Sequence, residues 1–222
     1  MGTRIQNLAN NFTTAGIVKA AAINDASVSA ITAIPSGLGG ALTLIKSITA
    51  SASATISFVD GTDGVVLDGT YLSYVFSFIN IHPATDNVEF EFNMSTDSGS
   101  NYNVTKTTTA FHAYHEEASV GTDLTYLTGE DLAQSTSFQN INFQLGNDND
   151  QNVSGYLQLF NPSSTTYVKH FICVSNLTGY TDYVFNNYIA GYGNTTSAVN
   201  AVRFQMSSGN IDDGIIKLYG VS

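Results

Sequence analysis

The chain has 222 residues, and its seven Lys and Arg against 18 Asp and Glu give a formal net charge of −11 at pH 7. So acidic a surface excludes nucleic acid as a partner, since binding requires phosphate neutralisation, and it disfavours anionic membranes for the same reason. Only 11% of residues are charged while 43% are hydrophobic, and the missing charge is replaced by Ser, Thr, Asn and Gly, a make-up suited to one large β domain with neutral, hydrogen-bonding surfaces.

Residues 1–40 have a pattern of their own. Ile5, Leu8, Phe12, Ile17, Ile23, Val28, Ile31 and Ile34 stand singly among Asn, Thr, Ala and Ser, at intervals that match neither a helix nor a strand. Lys19-Ala20-Ala21-Ala22 has helix propensity for a turn or two. Ile34-Pro35-Ser36-Gly37 and Gly39-Gly40 then break the chain. A segment that cannot build its own core stays loose or buries its apolar beads on something else. We expect the second: an extended anchoring arm that docks on a partner subunit or on sister chains. No secretory signal is visible, and no apolar run approaches the roughly 18 residues of a membrane span, so we expect a soluble chain without membrane insertion.

From Ala41 the apolar period becomes two. Ala41 to Ile48 and Ala54 to Phe58 are predicted strands, and Asp60-Gly61-Thr62-Asp63-Gly64 is turn chemistry. Tyr71 to Ile81 carries bulk on both faces, which predicts a central strand. Val88-Glu89-Phe90-Glu91-Phe92 alternates apolar and acidic, as a strand wetted on one side does. Further strands are predicted at Tyr102 to Tyr114, Ser137 to Leu145, Gly155 to Phe160, Thr166 to Val174, Tyr183 to Ala190, Ala198 to Met206 and Gly214 to Tyr219. With no helix between them, and with three prolines outside strand centres, the expectation is all-β: residues 41–222 form a single antiparallel β-sandwich, jelly-roll-like, preceded by the arm.

Few residues suggest chemistry. His112 and His115 would share a face on a helix, but on a strand a spacing of three puts them on opposite faces and separates any metal ligands. Asp60 to Gly64 and Asn147 to Asn152 are rich in oxygen ligands but lack the spacing of a calcium loop, so they read as solvated turns. Acidic pairs such as Glu116 with Glu130, or Asp123 with Asp131, point to nothing more specific than an acidic chain. His82 precedes Pro83 in a turn and His170 lies in an apolar strand, so both read as structural. Cys173 sits in the run Phe171-Ile172-Cys173-Val174 and reads as an inert, buried thiol. Twelve tyrosines with no tryptophan permit sugar stacking, although tyrosine is also a favoured strand residue. Tyr102, Tyr180, Tyr183 and Tyr192, near loops, are the candidate surface-recognition residues.

Several stretches, in order, resemble a family of small virion structural proteins of tailed bacteriophages, marine ones especially. They are Asn24 to Gly37 (NDASVSAITAIPSG), Leu42-Thr43-Leu44-Ile45, Tyr71 to Asn80, Ser95 to Tyr102 (STDSGSNY), and the ending from Ser208-Gly209-Asn210-Ile211 through Ile216-Lys217-Leu218-Tyr219-Gly220-Val221. The resemblance spans most of the chain and rests on the order of these pieces. It implies assembly on a virion, as a homo-oligomer and specifically a trimer, with no cofactor and no defined catalytic residue. The expectation is therefore a non-enzymatic fibre or appendage subunit, anchored by its arm to portal, tail or shell proteins. Such a subunit would be assembled in the host cytoplasm, displayed on the virion surface and able to contact a host-surface glycan. A capsid decoration (cement or head-fibre) protein is the alternative, and a glycan-degrading virion enzyme a third.

Overall fold

The computed structural model describes residues 41–118 and 121–222; the arm and its eight anchoring residues lie outside the described residues. Twelve strands follow in chain order. They are β1 (Leu42–Thr49), β2 (Ile56–Val59), β3 (Ser73–Pro83), β4 (Phe90–Ser95), β5 (Lys106–Glu116), β6 (Thr122–Tyr126), β7 (Gln139–Asn140), β8 (Val153–Phe160), β9 (Lys169–Thr178), β10 (Tyr183–Gly193), β11 (Ala201–Met206) and β12 (Ile211–Val221). No helix occurs among the described residues. The strands form two antiparallel sheets, β1-β12-β3-β8-β9-β10-β5-β6 and β2-β11-β4-β7, packed as a sandwich.

The topology is a jelly roll with two inserted hairpins. β1 pairs with β12, β2 with β11, β3 with β8 and β4 with β7, so the chain folds double and then wraps, first strands against last. β5–β6 is inserted between β4 and β7, and β9–β10 between β8 and β11. Both hairpins join the same sheet beyond β8, which makes it eight strands wide against four. The alternation read from the sequence explains the layering. Tyr74, Phe76 and Phe78 of β3 point inward with Phe90 and Phe92 of β4, while the intervening residues face out. As the apolar bulk on both faces suggested, β3 is interior, with β12 on one side and β8 on the other.

Three strand assignments change. The stretch from Ser137 to Leu145 forms a strand only at Gln139–Asn140, with isolated bridges at Leu145, because its polar side chains take over some of the backbone's hydrogen bonds between them. Asn142 Oδ1 accepts the Phe90 amide, and Gln139 Nε2 donates to the carbonyls of Glu130 and Asn140. β5 begins at Lys106 rather than Tyr102. Thr122–Tyr126, too polar to show an alternation, forms the edge strand β6.

β12 and β3 carry facing irregularities near Asp213 and Asn80. Gly214 has φ +118°, and a Cβ there would lie 2.5 Å from the Asn80 carbonyl oxygen and 2.7 Å from the Ile81 Cα. Neither backbone atom can move without breaking the ladder. We therefore expect Gly214→Ala to lower unfolding free energy by about 2 kcal/mol in urea titration. Gly129→Ala, where a Cβ meets nothing within 4 Å, should stay within about 0.5 kcal/mol of wild type.

Candidate recognition cleft

Because the large sheet is twice as wide as its partner, the inner face of its inserted strands extends past the four-stranded sheet. Segments between β6 and β8 cover part of it, and a cleft of about 250 Å³ remains, lined by His112, Tyr114, Phe143, Gln144, Thr181, Tyr183 and Phe185. Strand parity delivers the rings: His112 and Tyr114 are alternate residues of β5, and Tyr183 and Phe185 alternate residues of β10. Tyr114 lies directly across the ladder from Phe185. The Tyr183 and Phe185 rings stack with centroids 5.7 Å apart, Tyr114 stands 5.5 Å from Tyr183, and Phe143 closes on Phe185 at 6.1 Å. Tyr180 is on the adjoining loop, 37% exposed, its amide donating to the Gln144 carbonyl at 3.1 Å.

His112 forms the floor. It is 4% exposed, and its ring lies 5.1 Å from that of Phe185. Burial lowers its pKa from the ordinary value, against smaller opposing effects of Asn187 and Asp123, so the imidazole is neutral at neutral pH. Asn187, directly opposite on β10, is its side-chain hydrogen-bonding neighbour, and Asn187 Nδ2 in turn donates to Ser175 Oγ at 3.3 Å. At the mouth, burial and the Glu116 carboxylate, to which it hydrogen-bonds, raise the Tyr183 phenol. The cleft thus offers ring faces and uncharged hydrogen-bonding atoms, chemistry that suits a polar, uncharged ligand with an apolar face.

The four tyrosines expected from the sequence to serve surface recognition separate. Tyr183 lines this cleft, and Tyr180 stands on the loop beside it. Tyr192 lies on the opposite face of the sheet, its ring 5.9 Å from that of His170, in a shallow groove of about 480 Å³. Tyr102 is turned inward at 9% exposure, with the Arg203 guanidinium 3.9 Å above its ring. Its carbonyl accepts from Asn93 Nδ2 at 2.7 Å, which ties it down as a packing residue and removes it from surface recognition. Tyr114, Phe143 and Phe185 carry no distinguishing signal in the sequence. They have the look of ordinary strand or loop residues, and nothing local marks an inner-face ring that the opposing sheet fails to cover.

The histidine pair separates as a strand requires: His112 is buried, and His115 is exposed on the other face. His82 sits in a second, polar groove, its Nδ1 3.8 Å from Asp212 and its Nε2 3.2 Å from the Asp148 carbonyl. Among the described residues, no three of His, Cys, Asp and Glu converge as metal ligands. Cys173 is fully buried, and burial pushes its thiol up. No family model, curated protein or solved structure matches this chain.

Proposed function

We propose that this chain is a non-enzymatic structural subunit of a tailed-bacteriophage virion, a fibre or appendage protein displayed on the particle surface. Residues 1–40 anchor it to portal, tail or shell proteins, and the jelly roll projects to touch a host-surface glycan. The observation that carries this reading is the cleft formed by Tyr114, Phe143, Tyr183 and Phe185 over a neutral His112. Aromatic faces stack on the apolar face of a sugar ring, and Gln144 in the lining can meet a ring hydroxyl. The charge layout agrees with it: Arg4 and Lys19 outnumber Asp25 in the arm, whereas residues 41–222 carry most of the acidity, which keeps a displayed domain soluble. Jelly rolls occur among viral coat and lectin domains, a fold-level analogy that fits the reading without carrying it.

Immunogold labelling should place the protein on the tail, and purified protein should block phage adsorption to host cells. Losing one stacking ring, worth about 0.5–1.5 kcal/mol, weakens blocking about twofold to tenfold, so Tyr183→Ala should need correspondingly more protein for the same effect. Label confined to the shell, with no blocking at any concentration, would replace this reading with capsid decoration. That second reading is favoured by one feature, the broad uncharged outer face of β8, β9, β10, β5 and β6.

A further inference from the structure

The outer face of β8, β9, β10, β5 and β6 has an unusual composition for so acidic a chain. Register places Tyr126, Phe111, Tyr188, Val174 and Tyr156 side by side in one rank across five neighbouring strands. Four of these are large and exposed: Tyr126 48%, Phe111 40%, Tyr188 39% and Tyr156 41%. None of the outward positions on these five strands is Asp, Glu, Lys or Arg; His115 and His170 are the nearest approach to charge. The carboxylates lie instead on loops, at strand ends, on the small sheet and on inward-parity positions such as Asp123.

Shape adds to charge. The Phe111 and Tyr188 rings stack 5.1 Å apart and 8° from parallel, forming a ridge. On one side is a hollow of about 160 Å³ over Thr109, Ile172 and Ala190. On the other is one of about 210 Å³ over Ala113, Val184 and Asn186. A ridge between two hollows is self-complementary, since a second copy turned face to face can set its ridge in either hollow.

We propose that this face is where the chain associates with a second copy of itself, sheet against sheet, through the two inserted hairpins. The charge distribution selects that occupant. Two bodies of formal charge −11 repel wherever carboxylates meet, and here an apolar face can close without opposing like charges. A partner chosen by charge would have nothing on this face to recognise. Five strands spaced about 4.8 Å apart, contacting over about 20 Å of their length, give about 500 Å² per copy, the size of a weak, concentration-dependent pair. The inference stands on this face alone and not on the virion assignment. Protein that associates but labels no virion would sink the assignment and leave the interface.

Sedimentation equilibrium of the full-length protein, across the micromolar to sub-millimolar range, tests it. Wild type should exceed one chain's mass as concentration rises, and more so at high salt, because salt screens the repulsion between acidic bodies while leaving apolar contact intact. Tyr188→Glu, which puts a carboxylate on the ridge, and Ala190→Gln, which fills a hollow without charge, should each shift the mass back to one chain. Circular dichroism checks that each variant is folded; should either fail to fold, the other and the wild-type salt series decide. A single-chain mass at every concentration overturns the proposal. So does association that salt weakens, or association that folded face variants leave intact, which would assign it to the arm.

Discussion

Phe204→Ala should lower the unfolding free energy by about 3–5 kcal/mol, the largest single-residue effect expected in this protein. Phe204 is fully buried at the middle of β11, and its ring is the hub of the sandwich. It meets Phe78 at 5.3 Å, Phe76 at 5.4 Å, Phe90 at 5.7 Å, and Phe58 and Phe92 at 6.3 Å. Those five neighbours come from β2, β3 and β4, so truncation opens a cavity between the two sheets at a point where no one strand can collapse to fill it. Phe111→Ala removes a ring of the same size from the exposed outer face and should cost less than about 1 kcal/mol. Urea unfolding of both variants tests the contrast. Equal losses, or a loss below about 1 kcal/mol at Phe204, would show that the core is not organised around this ring.

Raising the pH from 7 to 9 should stabilise the fold, and Lys106→Met should flatten most of that rise. Lys106 is fully buried, its Nζ donating to Asn93 Oδ1 at 2.6 Å and to the Val104 carbonyl at 3.0 Å. Both acceptors are neutral, so burial dominates and lowers the amine from 10.5 to about 7, against a smaller opposing pull from Glu91. Between those two values the unfolded chain binds more protons than the folded one, so stability rises with pH across that window. Over two pH units this is at most about 3 kcal/mol. Burial also lowers Lys169, which adds in the same sense and leaves a residual slope in the variant. Above about pH 9 the sign reverses for Cys173 and Tyr74, whose protons burial holds in the folded state. Stability measured by urea titration at several pH values should therefore rise and then level. A wild-type profile that falls from pH 7 to 9, or one that Lys106→Met leaves unchanged, would show that this amine stays charged in the fold.

Lys106 also explains how the first hairpin is fastened. Its backbone exchanges hydrogen bonds with Ser135, 2.8 and 3.0 Å long, while its side chain holds Asn93, whose amide reaches the carbonyls of Tyr102 and Thr136. Three separate stretches of chain are joined at one polar knot, beside Gly193, which lies across from both Lys106 and Lys169. The jelly-roll frame and the insertion are thereby locked together, and the insertions carry both the cleft and the outer face.

The alternation of β3 and β4, the turn residues between strands and the absence of a helical period were enough, in the sequence, to fix an antiparallel sandwich beginning near Ala41. They were enough too to place His112 and His115 on opposite faces, because side-chain parity along a strand is a local property. Parity does not say what lies opposite a residue. Tyr102 and Tyr183 both stand near loops; one is pinned under Arg203 and the other opens into a cleft, and only the pairing of distant strands made that difference. Which strands join which sheet, how far the larger sheet overhangs the smaller, and which rings fall into rank on its outer face depend on contacts between residues far apart in the chain, and tertiary structure alone decided them.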